Sequence, residues 1–290
     1  MRGTVRIGIS GWTYKPWRGV FYPELLPQKE ELSYAASKFP TIEINGTFYS
    51  LQRPTSFARW ARETPDDFVF SVKGSRYITH IQRLRDIELS LANFFASGLL
   101  QLGKKLGPIL WQFPPSFKFD RDLIESFFML LPHDTMHASM LAKSHDPWMK
   151  GRAFTEPESK IKVRHAMEIR HKSFVTPEFI ELLRKYRVAL VCADTVEWPR
   201  LMDVTSDFVY CRLHGSEQLY VSGYSAALDE WGSRVATWAR GGESAGDMKA
   251  NPISANACDS RDVYVYFDND AKVRAPFDAL GLMARISKLL

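Results

Sequence analysis

Short runs of β-branched and apolar residues recur along the chain, and each is followed by turn residues and then by a segment with helical spacing of apolar positions. Eight runs have the character of strands, at residues 5–10, 41–45, 68–73, 108–113, 165–170, 188–194, 208–214 and 263–268. Amphipathic stretches predict helices between them, at residues 29–38, 56–63, 87–102, 121–131, 177–186 and 228–240. The weakest helical pattern is at residues 196–203, between the sixth and seventh strands.

The alternation of strands and helices predicts the fold class. Strands that are joined by helical crossovers pair in parallel, because each crossover must cover one face of the sheet. Eight such units within 290 residues fit a closed barrel. We therefore predict an α/β protein with a single (β/α)8 TIM-type barrel that spans residues 1–290. Barrel enzymes place their catalytic groups at the C-terminal ends of the strands, so we expect the chemistry at that mouth.

Two connections interrupt the regular spacing. Residues 133–162 form a long insertion before the fifth strand, and residues 241–260 are rich in glycine, serine, asparagine and alanine. The second composition predicts a flexible segment. Both connections follow a helix and precede a strand, so we expect both at the bottom face of the barrel, away from the mouth.

The phase of each strand predicts which side chains point into the barrel, since alternate residues face opposite sides. In the second strand Ile42 and Ile44 suit the helix-facing side, which leaves Glu43 and Asn45 inward. The same reading directs further polar residues of the later strands inward: Lys73, Glu168, Arg170, Asp194, Tyr210, Arg212, His214 and Asp268. One interpretation is a set of mutual ion pairs, such as Glu168 with Arg212. We favour a functional site, because so many buried charges are costly unless each has a partner.

Several short motifs follow one another in order along nearly the whole chain. They are ISGWTY at 9–14, FYP at 21–23, EIN at 43–45, TFY at 47–49, FSVK at 70–73, TH at 79–80, LWQFPP at 110–115, EIRH at 168–171, YCRLHG at 210–215 and YFDND at 266–270. Together they resemble the YecE-like family, also called domain of unknown function 72. The resemblance implies a TIM-type barrel, in agreement with the strand count. It does not indicate which reaction, if any, the protein catalyses. Gly46 stands where the family commonly has serine, Phe174 where it has tryptophan, and residues 133–162 are longer than usual.

The residue types at the predicted mouth suit a small polar substrate with an anionic group. Arginine binds phosphate or carboxylate through forked hydrogen bonds, and a carboxylate or histidine carries protons. The candidate catalytic residues are Glu43, Lys73, Glu168, Asp194, His214 and Asp268. The candidate substrate-binding residues are Trp12, Tyr14, Asn45, Tyr49, His80, Arg170, Arg212 and Asn269. We predict an enzyme that uses acid–base chemistry on a small phosphate- or carboxylate-bearing molecule.

Three other hypotheses stay open. A divalent metal is possible because the mouth holds ligand types, although no cofactor is predicted and the arginines there would repel a cation. A metal-dependent nucleic-acid-binding or endonuclease-like barrel would use the aromatic residues of the first two mouth loops to stack on bases. A non-catalytic binding scaffold would have a mouth filled by side chains. Lys73 also suits a Schiff base if it is desolvated, although anion contacts are commoner for such lysines.

Charge and composition limit the possible partners and the cellular location of the protein, but they do not decide its function. The 38 basic residues exceed the 33 acidic ones, giving a formal net charge of +5, which is compatible with anionic partners and too small to demand nucleic acid. Apolar runs are too short for a membrane span, and the start of the sequence lacks the apolar stretch of a secretory signal. The three cysteines have no metal-type spacing. We therefore expect a cytoplasmic protein with no membrane partner; no oligomeric state follows.

Overall fold

Eight parallel strands form a closed barrel and pair in chain order, with β8 closing onto β1. The computed structural model describes residues 3–225, 227–244, 248–255 and 258–290. The strands are β1 (Val5–Ser10), β2 (Thr41–Ile44), β3 (Val69–Lys73), β4 (Leu106–Gln112), β5 (His165–Glu168), β6 (Ala189–Asp194), β7 (Phe208–Leu213) and β8 (Asp262–Phe267). The predicted α/β TIM-type barrel is confirmed.

Helices cover the outside of the strands. They are α1 (Glu31–Lys38), α2 (Gly46–Tyr49), α3 (Pro54–Arg62), α4 (Glu88–Ala96), α5 (Arg121–Leu130), α6 (Thr135–Ala142), α7 (Pro177–Tyr186), α8 (Leu228–Ala239) and α9 (Arg274–Leu289). The start of α7 illustrates how the sequence sets a boundary: the Thr176 hydroxyl accepts from the Phe179 amide, and Pro177 occupies the first helical position. Within the described ranges, no helix is both long and apolar enough to cross a bilayer.

Two connections differ from the predicted helices. The helix predicted at 87–102 is broken, because α4 ends at Ala96 and a separate 3-10 helix runs over Leu99–Lys105. Gly98 turns the chain between them with a φ of 117°, and a Cβ there would lie 2.4 Å from the Cα of Pro54. Between β6 and β7, where the helical pattern was weakest, the described chain forms no helix. The prediction of a helix in that connection is wrong.

The barrel interior combines small side chains on one side with large aromatic rings on the other. Ala166, Ala189 and Ala193 on β5 and β6 leave space, and the rings of Tyr210 and Tyr266 on β7 and β8 are part of the same buried cluster. A barrel interior filled by side chains is typical of the TIM-type fold, in which it is a packed core and not a pore. The inward residues of the next layer, toward the C-terminal ends, are polar and form the candidate site.

The insertion at 133–162 follows α5 and ends just before β5. It contains α6 and a bridge between Asp134 and Lys162. Of the segment 241–260, which the sequence predicts to be flexible, residues 245–247, 256 and 257 lie outside the described residues. The described part of this segment is bound by Asp203, which lies between β6 and β7. The Asp203 carboxylate accepts from the amides of Ala250 and Asn251, at 2.8 and 3.0 Å.

We expect Asp203→Ala to lower the free energy of unfolding by about 2 kcal/mol, because it leaves two amides of this segment without their acceptor. Urea unfolding followed by circular dichroism measures the change. Asp259→Ala, at an exposed carboxylate, is the matched control and should change stability very little. Equal effects of the two substitutions would show that Asp203 does not anchor the segment.

Candidate functional site

The guanidinium group of Arg212 lies at the centre of a layer of charged side chains at the C-terminal end of the barrel. Its Nη1 donates to Glu168 Oε2 at 2.7 Å, and its Nη2 donates to Glu43 Oε1 and Asp268 Oδ2, each at 2.9 Å. Arg212 itself is 0% exposed. One buried cation therefore joins carboxylates from three parts of the barrel wall, and the mutual ion pairing that the sequence left open is present here.

The carboxylate of Glu43 is held by hydroxyl groups as well as by arginine. Ser10 Oγ donates to its Oε1 at 2.5 Å, and the Tyr210 hydroxyl donates to its Oε2 at 2.5 Å. Asn45 Nδ2 in turn donates to Ser10 Oγ at 2.8 Å, and Ser71 Oγ lies 2.7 Å from the Tyr210 hydroxyl. Since all four groups come from strands or their ends, the position of Glu43 is fixed by the barrel itself.

Glu168 binds a second arginine at the edge of this layer. Arg170 Nε and Nη2 lie 2.8 and 2.7 Å from Glu168 Oε1, and Arg170 Cζ lies 4.0 Å from the centre of the Trp198 ring. Arg170 Nη1 has no hydrogen-bond partner among the described residues. Arg170 is therefore oriented by one carboxylate and one ring, and it retains donor capacity.

The arginines keep the shared carboxyl groups ionised despite their burial. Burial alone would raise the pKa of Glu168, but the charges of Arg170 and Arg212 hold that pKa well below its usual range. Burial acts in the same way on Asp268, and Arg212 and His214 hold its pKa low. Both groups therefore act as acceptors at neutral pH and are poor proton donors.

His214 lies deep beside this network. Its Nδ1 is 3.0 Å from Asp268 Oδ2, and its ring is flanked by Trp198 and Tyr220, with centroid distances of 5.5 and 5.6 Å. Neither ring nitrogen has a hydrogen bond of good geometry to the described residues. His214 is fully buried and does not line the pocket above it.

A cavity of about 670 Å³ opens above the charged layer. Several lining residues come from the C-terminal ends of strands or lie just beyond them, and the polar ones at β3, β4, β5 and β8 are Lys73, Gln112, Arg170 and Asp268. Loops and helices contribute further lining residues: Trp12, Tyr14, Asn45, Phe48, Tyr49, Trp60, Tyr220 and Asp270. A pocket with apolar walls and a few convergent polar groups is the usual form of a small-molecule site.

The ammonium group of Lys73 is in this pocket without a carboxylate in contact. Among the described residues its Nζ makes no hydrogen bond and has no carboxylate oxygen within 4.0 Å; it lies 4.4 Å from the centre of the Phe48 ring. Lys73 is 8% exposed. Burial lowers its pKa to about 8, and the positive charge of Arg212 acts in the same direction.

Asp270 is the pocket carboxyl group with the opposite shift. Burial raises its pKa to about 6, and the negative charge of Asp268 acts in the same direction. Nearby, the Tyr14 hydroxyl donates to the Ser10 carbonyl oxygen at 2.5 Å. Tyr14 can approach because Gly11 has a φ of 85° and no Cβ, which would lie 2.8 Å from that hydroxyl. The ISGWTY motif thus shapes one wall of the pocket.

Two predicted site residues point elsewhere. Asp194 is not directed into the barrel as predicted: Ala189, Val191 and Ala193 occupy the inward phase of β6. The Asp194 carboxylate accepts instead from Arg200 Nη1 at 2.8 Å and Trp231 Nε1 at 3.3 Å. The inward assignment was wrong because β6 is apolar on both faces, so alternation gives no phase.

Asn269 is also turned away from the mouth. Its Nδ2 donates to Asp278 Oδ2 of α9 at 2.8 Å and to the Ser222 carbonyl oxygen at 2.9 Å. Its side chain is fully buried and does not line the cavity. Asn269 therefore fixes the loop after β8 to α9, and the structure does not place it where a substrate would bind.

Tyr49 and His80 lie at the rim. Tyr49 is 70% exposed and lines the pocket. His80 packs its ring 5.1 Å from that of Phe48, and its Nδ1 lies 2.8 Å from the Thr79 hydroxyl. Burial lowers the pKa of His80 to about 4, with Arg170 acting in the same direction. His80 is therefore a neutral neighbour of the site at neutral pH.

Four residues near the centre of the site were not chosen from the sequence: Ser10, Gln112, Tyr220 and Asp270. Ser10 and Gln112 occupy the inward phase at the ends of β1 and β4, so strand alternation could have identified them. Asp270 follows Asp268 by two positions in the YFDND motif. Tyr220 lies in the loop after β7 with a φ of 62°, and no sequence signal indicates its position.

The charged layer does not have the arrangement of a metal centre. Within residues 3–225, 227–244, 248–255 and 258–290, no three His, Cys, Asp or Glu side chains are grouped so that they could hold a metal ion. Arg212 occupies the space between the carboxylates that a cation would need. The residues present therefore fit an internal arginine better than a bound metal.

The fold and this pocket define a (β/α)8-barrel protein with a buried arginine–carboxylate network beneath a small polar cavity. The chain belongs to the family described as "Protein of unknown function DUF72", whose model matches residues 6–289. The resemblance seen in the sequence motifs is thereby confirmed. Membership of this family indicates no specific reaction or substrate.

Relatives and solved structures agree with this assignment. The chain is 31% identical over 118 residues to UPF0759 protein YunF of Bacillus subtilis and 30% identical over 113 residues to UPF0759 protein YecE of Escherichia coli K12. Each match covers 39% of this chain, and 41% and 39% of the respective relatives. A DUF72 family protein from Thermotoga maritima superposes with a TM-score of 0.70 at 25% identity, covering 98% of this chain and 99% of that one. Another, from Enterococcus faecalis, is 17% identical with a TM-score of 0.68, covers 98% and 96% of the two chains, and shows the fold alone.

We expect Arg212→Met to destabilise the protein by about 3–5 kcal/mol at pH 7, because it leaves buried carboxylates without their shared cation. The native pKa values of Glu168 and Asp268 are low, so their contribution to stability is present above their unfolded-state pKa values and is lost as the pH falls. In the variant those pKa values rise, so its deficit should shrink between pH 7 and pH 5.

Urea unfolding of both proteins at several pH values measures this difference. Arg285→Met, which removes a largely exposed pair with Asp229, is the control and should cost less than about 1 kcal/mol at every pH. A deficit for Arg212→Met that does not change with pH would contradict the electrostatic role of Arg212.

Proposed function

We propose that this chain is an enzyme that performs acid–base chemistry on a small molecule bearing a phosphate or carboxylate group, bound in the cavity at the mouth of the barrel. One observation carries the proposal. The cavity is lined by two cations with unused binding capacity, Lys73 and Arg170, together with the carboxyl groups of Asp268 and Asp270. Such a combination can bind an anion and move a proton beside it.

Arg170 is the group best suited to bind the anion. Its guanidinium is held against Glu168 and Trp198, so little side-chain entropy is lost when a ligand binds. Its free donor can form a charge-assisted hydrogen bond with a phosphate or carboxylate oxygen. Arg212 was predicted to share this role. Both of its Nη groups donate to carboxylates, so Arg212 instead holds Glu43, Glu168 and Asp268 in position beneath the cavity.

Lys73 and Asp270 are the groups best suited to carry protons. Their pKa values, about 8 and about 6, lie on either side of neutral pH. A general acid or base works best when its pKa is near the working pH, because both protonation states are then accessible. Glu43, Glu168 and Asp268 complete the site as fixed acceptors that orient Arg170 and Arg212.

The aromatic residues around the mouth favour a small molecule over a nucleic acid. The Trp12 ring packs edge-on against Trp60 at 5.4 Å, and the Tyr14 ring lies 4.6 Å from that of Trp17. Rings that are engaged with one another form walls and are less available for stacking on bases. We also place the enzyme in the cytoplasm, which the free buried Cys192 and Cys211 favour.

We expect Arg170→Ala to weaken the binding of sulfate or inorganic phosphate roughly ten- to a hundredfold, the value of one charge-assisted hydrogen bond. Isothermal titration at constant ionic strength measures the affinity. Arg170→Lys, which keeps the charge without the fork, should give an intermediate value. Arg152→Ala, at an exposed position outside the pocket, is the matched control. Equal affinities of the Arg170→Ala and Arg152→Ala variants would refute anion binding at Arg170.

Asp270 should make anion binding depend on pH. Below its pKa of about 6 the carboxyl group is neutral, so we expect the affinity for sulfate to rise severalfold as the pH falls from 7.5 to 5. Sulfate is the probe because its charge stays constant over this range. In Asp270→Asn the affinity should be nearly flat and close to the low-pH value of the unaltered protein. A pH dependence that survives the substitution would assign the titration to another group.

A further inference from the structure

We propose that Lys73 forms a covalent imine with the carbonyl carbon of the bound anionic molecule, so that the substrate class is a phosphate- or carboxylate-bearing aldehyde or ketone. This inference rests on the proposed function, since it places the substrate in the same cavity. It assigns a nucleophile to the site and narrows the substrate from any small anion to an anionic carbonyl compound.

A comparison with Lys105, the other buried lysine among the residues that the structure describes, supports the role. Lys105 is 6% exposed, and its Nζ donates to the carbonyl oxygens of Ala61 and Thr64 at 2.6 and 2.8 Å. It is thus held as a structural cation. Lys73 is buried to nearly the same degree, yet within the described residues its Nζ has no acceptor and no ion-pair partner. A buried amine that makes no structural bond and faces a cavity is placed for chemistry.

The charges around Lys73 favour the neutral amine that nucleophilic attack requires. The charged groups that act on it come from β2, β5, β7 and the segment after β8: Glu43, Glu168, Arg212 and Asp268. Lys73 in turn lowers the pKa of His80, in the turn after β3. Burial is the largest influence, and Arg212 opposes the charged form. The carboxylates favour the charged form, but each of them already contacts Arg212. With a pKa of about 8, roughly a tenth of Lys73 is neutral amine at pH 7.

The apolar surroundings also suit an imine. The Phe48 ring lies 4.4 Å from Nζ, and Ile44 and Trp60 line the same cavity. Imines hydrolyse readily in water, so a partly apolar pocket prolongs their lifetime. Arg170 lines the cavity as well and can bind the phosphate or carboxylate group while the carbonyl carbon reaches Lys73.

The step balances without an oxidant or a reductant. The neutral Lys73 amine adds to the carbonyl carbon and forms a C–N bond. The two protons of the amine and the carbonyl oxygen leave together as one water molecule, so that the C=O bond is replaced by a C=N bond. Asp270, whose carboxyl group lines the cavity, can relay a proton to the departing oxygen and recover it afterwards. Protonation of the imine then draws electrons from the neighbouring carbon and makes its proton acidic.

Trapping by sodium borohydride tests the inference directly. The purified chain of 290 residues is incubated with pyruvate, dihydroxyacetone phosphate or acetone, reduced, and analysed by intact mass spectrometry and peptide mapping. We expect a single reduced adduct on Lys73 with at least one of the two anionic probes. With acetone, which lacks the anionic group, we expect at least tenfold less. The yield should rise with pH and reach half of its maximum near pH 8.

Variants separate this inference from the proposed function. Lys73→Arg keeps the positive charge but removes the nucleophilic amine, so it should abolish the adduct. Sulfate binding by the unaltered protein, and its weakening in Arg170→Ala, tests the proposed function separately. Lys104→Arg, at an exposed lysine, is the matched control and should leave the adduct unchanged. Peptide mapping on the unaltered chain identifies the modified residue even if Lys73→Arg fails to fold.

Two results would overturn the inference. One is the absence of any adduct with both anionic probes, and the other is modification spread over several lysines. If sulfate still binds through Arg170 in those cases, the imine is wrong and the proposed acid–base function stands. If neither sulfate nor a carbonyl probe binds, both proposals fail.

Discussion

The pairing of the Arg212 guanidinium with the carboxylates of Glu43, Glu168 and Asp268 is the constraint on which the rest of the site depends. Three negative charges in a buried layer would repel one another, and a fully buried guanidinium without partners would be equally unfavourable. Together they hold β2, β5, β7 and the end of β8 in one electrostatic unit. This layer closes the barrel core and forms a rigid charged base for the cavity above it.

The site divides its charged groups into two sets. Glu43 and Glu168 both bind Arg212, and none of the three lines the cavity, so they fix geometry. Lys73, Arg170 and Asp270 border the cavity with unused capacity, and they are the groups that can meet a ligand. The second set combines exposure to the cavity with chemistry suited to proton or bond exchange. The first set makes the second possible, because Glu168 holds Arg170 in place and Arg212 opposes protonation of Lys73.

Strand phase made most of this arrangement predictable. In β2, β5 and β7 apolar residues alternate with polar ones, so the inward direction of Glu43, Glu168 and Arg212 follows from the sequence. In β6 both faces are apolar, and the same reasoning misdirected Asp194. The sequence could not show that Arg212 binds three carboxylates while the Lys73 ammonium group contacts none. That difference depends on distances of a few ångströms across the barrel. Tyr220 lies in a loop whose path has no periodic signal.

The missing helix between β6 and β7 has a consequence for how the family can vary. On that side of the barrel the segment at 241–260 takes the place of a helix. The Met202 amide donates to the carbonyl oxygen of Met248, and Arg184 Nη2 of α7 donates to the carbonyl oxygen of Ile253. The connection between β6 and β7 and the segment at 241–260, about fifty positions apart in sequence, thus cover the same part of the barrel together. A deletion in either would expose the same flank of the barrel, so their lengths should change together among homologous chains.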